Sequence, residues 1–91
     1  MENTDFKEMF PQDLDLCNAV VLNAVDDWRE GMKYLYLHPN GQKKNIKFYE
    51  VCHAKHFILS DDFANFTSLD GSYLMRMLEK EFEEWKEKQN A

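Results

Sequence analysis

No apolar run in this chain approaches the roughly 20 residues that a bilayer-spanning helix needs. Met1–Met9 is polar and mixed in charge, so it does not read as a secretory leader with a basic start and an apolar middle. Only two cysteines are present, Cys17 and Cys52, and two do not make a disulfide framework. Both fall among apolar residues on predicted helices, which favours buried free thiols. Together these absences point to a reducing cytoplasm. Internal repeats, low-complexity linkers, a glycine-rich phosphate loop, an H-E-x-x-H pair and a recognisable Ser/His/Asp arrangement are all missing from the sequence. Bases are in the minority: 11 Lys and Arg stand against 17 Asp and Glu, a formal net charge of −6. That balance argues against non-specific DNA or membrane binding as the main task.

What is present is a single small domain rich in large apolar groups. Of its 91 residues, 14% are aromatic. A domain of this size buries only about 60–65% of its unfolded surface, so a partner or self-association would add useful stability. Charge is unevenly distributed. Residues 1–32 hold eight acids and two bases, residues 33–56 hold five lysines against Glu50 alone, and residues 57–91 hold eight acids and four bases. A basic middle between acidic ends suits either complementary packing or a local anion site.

The apolar periodicity is helical. Leu14, Cys17, Val21, Val25, Trp28, Met32 and Leu35 recur at steps of three and four, predicting a first helix over about Gln12–Leu37 behind an N-terminal arm of residues 1–11. Pro11 suits the first turn, and Asp13 and Asp15 favour its positive dipole end. Gly31 costs about 1 kcal/mol against alanine in a helix interior, so a kink or a close helix crossing is expected there. His38-Pro39-Asn40-Gly41 reads as a turn in which Asn-Gly tolerates positive φ. A second helix follows over about Lys43–Leu59, with Ile46, Tyr49, Val51, Cys52, His56 and Phe57 as its apolar side and Phe48 beside them.

Two helix starts then lie seven residues apart. Ser60 is expected to cap a short helix through Asp61, Asp62, Phe63 and Phe66. Thr67-Ser68-Leu69-Asp70 has the form of a capping box, with Asp in place of the usual Glu, and is expected to open the last helix, ending near Lys88. Leu74, Met75, Leu78, Phe82 and Trp85 form that helix's buried stripe, and its outer face carries Glu79, Glu83, Glu84, Glu87, Lys80 and Lys88. Gly71, a poor helix former in these first turns, implies close approach of another backbone or ring. The fold class is all-α: a small helical bundle of two long antiparallel helices, a short helix and a long C-terminal helix, with residues 12–91 as one domain. Trp28, Phe57, Leu74 and Leu78 should be buried.

Candidate chemistry is sparse. Cys52, His53 and His56 are of metal-ligand type and share helix faces, but zinc needs three or four ligands, and packing is the favoured reading. Neither a metal nor a cofactor is expected, and no catalytic residue is assigned. Asp26, Asp27 and Glu30, with Glu83, Glu84 and Glu87, supply acidic helix surfaces for protein binding. Lys43, Lys44 and Lys47 stand at the start of the second helix, where N–H groups and the dipole favour an anion. Leu16, Val20, Tyr34 and Leu37 exceed what the first helix's stripe can bury, which points to a homodimer.

At residues 57–78 the chain resembles a small uncharacterised family of bacteriophage and prophage proteins common in Firmicutes, whose members read close to F-F-R-S-x-W-F-x-x-L-T-D-L-D-G-E-Y-L-I. The matches are Phe57, Ser60, Phe63, Thr67, Leu69, Asp70, Gly71, Tyr73, Leu74 and Leu78. Upstream, Ala19-Val20, Ala24-Val25, Asp27-Trp28-Arg29 and Leu35 resemble the family's first helix. Asp62 stands where the family has tryptophan, Ser68 where it has an acid and Ser72 where it has glutamate. Ser60, Thr67, Asp70, Gly71 and Tyr73 thus form a structural motif. The resemblance implies a phage accessory protein in the bacterial host's cytoplasm. It would be non-enzymatic and would bind and block a host protein, such as a nucleic-acid-binding CRISPR effector. Sequestration of a nucleotide signal and a structural or packaging role are the alternatives.

Overall fold

The computed structural model describes residues 19–90. Three α-helices and one 3-10 turn account for most of them: α1 (Ala19–Leu37), α2 (Lys44–Ile58), the 3-10 turn (Asp61–Asn65) and α3 (Gly71–Asn90). There is no strand among the described residues. The N-terminal arm at 1–11, the helix start at Gln12, and Leu14, Leu16 and Cys17 lie outside them.

Between α1 and α2 the chain reverses through three backbone bonds. His38 N–H donates to Tyr34 O at 2.7 Å, Gly41 N–H to His38 O at 2.9 Å and Lys44 N–H to Gly41 O at 3.1 Å. The expected turn is there, but the expected positive φ is not: no described residue, glycine included, has one. Gly41 instead leaves room for the Tyr34 ring end. A Cβ on it would stand 2.3 Å from the Tyr34 hydroxyl, and that hydroxyl accepts the Lys43 N–H at 3.1 Å. Gly31 is likewise a contact point and marks the expected close crossing. Its Cβ would meet Val51 Cγ2 at 2.4 Å and Lys47 O at 3.3 Å, so α2 returns along α1 nearly backbone to backbone.

This crossing selects the inner face of α2, which matches the predicted one only at Val51 and Phe57. Val51, Ala54 and Ile58 are buried, and Phe57 is half-buried. Ile46, Phe48 and Tyr49 are 61%, 60% and 66% exposed, and Cys52 and His56 are exposed as well. Cys52 is therefore not the buried thiol expected. Val51-Ala54-Ile58 and Ile46-Tyr49-His53-His56 both recur at helical steps, so two rival stripes run along α2. The glycine on α1 admits the branched Val51 and thereby decides between them.

α3 closes the core. Leu74, Met75 and Leu78 pack with Val21, Val25, Trp28, Ile58 and Phe63, each at most 3% exposed. The corner before α3 departs from the expected capping pattern. Ser60 precedes the 3-10 turn with extended backbone (φ −83°, ψ 164°) and makes no side-chain cap; its hydroxyl donates backwards to Phe57 O at 2.7 Å. Thr67 does not cap α3 either. Its buried hydroxyl accepts the Leu69 N–H at 3.2 Å, two residues on. The cap is Asp70, whose Oδ1 accepts the Ser72 N–H at 3.0 Å while its carbonyl accepts Leu74 N–H at 3.0 Å. Gly71 is thus the first residue of α3, and the inferred close approach is there. A Cβ would lie 1.9 Å from Ile58 O and 3.4 Å from Phe63 Cδ2.

Two outcomes follow for thermal or urea unfolding. Gly71→Ala should destabilise by about 3 kcal/mol, because the obstructing atom is a backbone carbonyl that cannot rotate away; melting like wild type would show that the corner relaxes. Asp70→Ala should cost about 1 kcal/mol through the lost cap, with retention of wild-type stability assigning the cap elsewhere.

Candidate functional site

α1 and α3 meet along a seam built around one buried cation. Arg29 is 4% exposed. Its Nε donates to Glu81 Oε1 at 2.9 Å and its Nη2 to Glu81 Oε2 at 2.7 Å, a bidentate fork. The Glu81 side chain remains about one-third exposed, at 32%, so the pair sits at the wet edge of the core. Aromatic rings continue the seam. Trp28 packs edge-on against Phe82 at 6.1 Å between centroids, Tyr36 against Trp85 at 5.6 Å, and Phe82 stacks on Trp85 at 5.8 Å. Lys33 lies over the Trp85 ring at 5.5 Å and Lys86 over Phe82 at 5.3 Å. Tyr36 finally donates its hydroxyl to Asn90 at 2.8 Å.

Neither Arg29 nor Glu81 was singled out from the sequence, although a signal exists. Arg29 follows Val25 by four residues and precedes Met32 by three, which puts it on the apolar side of α1. Glu81 follows Leu78 by three and holds the same kind of place on α3. A charged residue inside an apolar stripe calls for an opposite charge.

The acids singled out for binding do not converge on this seam. Asp27, Glu30, Glu83, Glu84 and Glu87 are exposed, and Asp26 is half-buried. Glu83 is engaged by Lys86 of its own helix at 3.2 Å, and Glu84 lines a cleft with Arg29, Lys33 and Trp85. The acids therefore give α1 and α3 negative outer surfaces, not one continuous row.

The lysine cluster is partly spent within the fold. Lys43 occupies the position before α2 and makes no side-chain cap. Its N–H is held by Tyr34 and that of Lys44 by the Gly41 carbonyl. Lys47 is half-buried and 3.5 Å from Glu50. Two of the donors that an anion would need are thus already used.

Cys52, His53 and His56 are all exposed. His53 stacks on Tyr49 at 5.7 Å, and no group of three potential metal ligands occurs among the described residues. No described helix is long and apolar enough to cross a membrane. Of the structural motif, Thr67 is buried, Ser60 and Gly71 are half-buried, and Asp70 and Tyr73 are exposed. Asp62, where the resembled family carries tryptophan, is exposed.

The feature that sequence reasoning assigned to the core, and the structure turns outward, is the outer surface of α2. Ile46 and Tyr49 lie there within one turn, and Phe48 is exposed on the flank beside them. Large aromatic side chains exposed together are characteristic of contact surfaces. Comparison with protein-family models, curated proteins and solved structures returns no match to this chain.

The ion pair makes a testable asymmetry. Glu81→Ala should destabilise by about 2 kcal/mol, because the buried Arg29 guanidinium loses its bidentate carboxylate. The double variant Arg29→Met with Glu81→Leu should recover most of that loss, since a packed apolar pair replaces a desolvated ionic one. Equal unfolding midpoints for the single and double variants would mean that the loss lies in packing and not in the charge pair.

Proposed function

We propose that this chain is a non-enzymatic, phage-encoded protein that acts in the bacterial cytoplasm by binding a host protein and blocking it, with an anti-phage defence component as the target class. The observation that carries the binding reading is the outward placement of Ile46 and Tyr49 on α2, 61% and 66% exposed. A domain this small has every reason to bury such groups, and leaving them in water costs about 1.5–3 kcal/mol of burial for each large apolar side chain. A partner that covers them recovers it. Tyr49 is held by its stack on His53, so little side-chain freedom is lost on docking. The phage and defence context comes from the resemblance at residues 57–78.

The scaffold in this reading is a three-helix bundle: α1 and α2 antiparallel, α3 closing them. The acids Asp27, Glu30, Glu84 and Glu87 supply long-range attraction towards a basic, nucleic-acid-binding target. The apolar side chains of α2 supply the contact itself. This division of labour differs from one in which the acids alone bind.

The test is a plating assay on host strains that each carry one defence system. Expression of the chain should restore plaque formation on one of them, with inhibition saturating at a fixed molar ratio of chain to target. Ile46→Asp with Tyr49→Asp should abolish the rescue while circular dichroism and melting stay unchanged. Reversal of Glu84 and Glu87 to lysine should slow association about 10-fold or more at low salt, and less at high salt. Rescue by none of the strains, or rescue indifferent to the α2 substitutions, would remove this reading.

A further inference from the structure

We propose that the flank of α2 turned towards α3, together with the groove between these two helices, is the contact surface for a second copy of this chain. Lys44, Phe48, Cys52, Lys55 and Leu59 follow one another at steps of four, four, three and four, so they form one row along α2. Phe48 is 60% and Leu59 47% exposed. The row borders a groove whose floor includes Met32, Val51 and Phe82 and whose far wall on α3 includes Glu79, Glu83 and Lys86. Lys55 and Glu79 span it at 3.3 Å. Away from the Gly71 corner the helices leave about 630 Å³ of open space.

Charge selects the occupant. The α2 row presents Lys44 and Lys55 and no acid, whereas Glu79, Glu83, Glu87 and Lys86 stand along α3, with Lys55 bridged to Glu79 and Lys86 to Glu83 within the chain. The lysine row repels its own image, so α2 does not pair with α2. It complements the α3 wall of another copy, and that copy's α2 row complements the first α3 in return. A two-fold axis satisfies both contacts at once, giving an isologous, closed dimer. In that dimer each Phe48 enters the partner's groove over the apolar floor, and each Lys44 approaches the partner's Glu83. The surface is centred away from the Ile46 and Tyr49 side of α2, so dimer and target contact use different faces of one helix. The inference goes beyond the function proposed above and does not depend on it.

The experiment is sedimentation equilibrium on the purified chain from low to high micromolar concentration, which needs no host factor. Wild type should be a dimer. Phe48→Glu should weaken self-association by about 30-fold or more, since it removes a central aromatic anchor from each copy, with helix content unchanged. Tyr49→Glu, on the other flank, should dimerise like wild type. Lys44→Glu and Glu83→Lys should each weaken the dimer, and an equimolar mixture of the two should re-form it as a mixed species. The charge pair keeps the test decisive if Phe48→Glu fails to fold. A wild-type monomer throughout would overturn the proposal and leave the groove to a foreign partner. Disruption by Tyr49→Glu in place of Phe48→Glu, or failure of the mixture to re-form, would overturn the assigned surface.

Discussion

The close approach of backbone to backbone at glycine governs this molecule. At Gly71 the first residue of α3 lies so near the last residue of α2 that a Cβ would overlap the Ile58 carbonyl. At Gly31 the same economy of space lets α1 and α2 cross tightly against Val51. Gly31 lies in a helix interior, where it costs about 1 kcal/mol against alanine, and Gly71 opens α3. What they return is proximity: Leu74, Leu78, Ile58 and Phe63 reach near-complete burial in a chain too short to build a thick core.

Packing at the corner sets where α3 starts, and the Arg29–Glu81 fork sets how it lies against α1. The ring contacts from Trp28–Phe82 to Tyr36–Trp85 follow from that alignment. α2 is held differently. Its inner face is small and branched, made of Val51, Ala54 and Ile58, so it comes close to α1 and offers little room for aromatic rings. Those rings are displaced outward. The exposed surface proposed for binding is thus a consequence of tight packing on the opposite side of the same helix. One helix has two rival apolar stripes, and only one of them can face Gly31.

Charge is arranged in the same spirit. The buried Arg29 is paired, and the exposed charges leave α1 and α3 slightly acidic and α2 basic. The segregation visible along the chain becomes a segregation between surfaces of the folded domain. Complementary surfaces on one small body favour assembly with a second body of matching charge.

The sequence by itself determined the helices, because periodicity, turn residues and polar starts are local properties. The stripe of α1 from Val21 to Leu35, that of α3, the reversal at His38–Gly41 and the close contacts at Gly31 and Gly71 were all legible there. Three matters belonged to the tertiary structure. Which face of α2 turns inward is decided by the glycine of another helix. Whether Asp70 or Thr67 caps α3 is decided by where the corner places the first free N–H group, since both side chains are competent caps. The pairing of Arg29 with Glu81, 52 residues apart, arises only once the helices are assembled: each charge marks its own stripe as unusual, but neither names its partner.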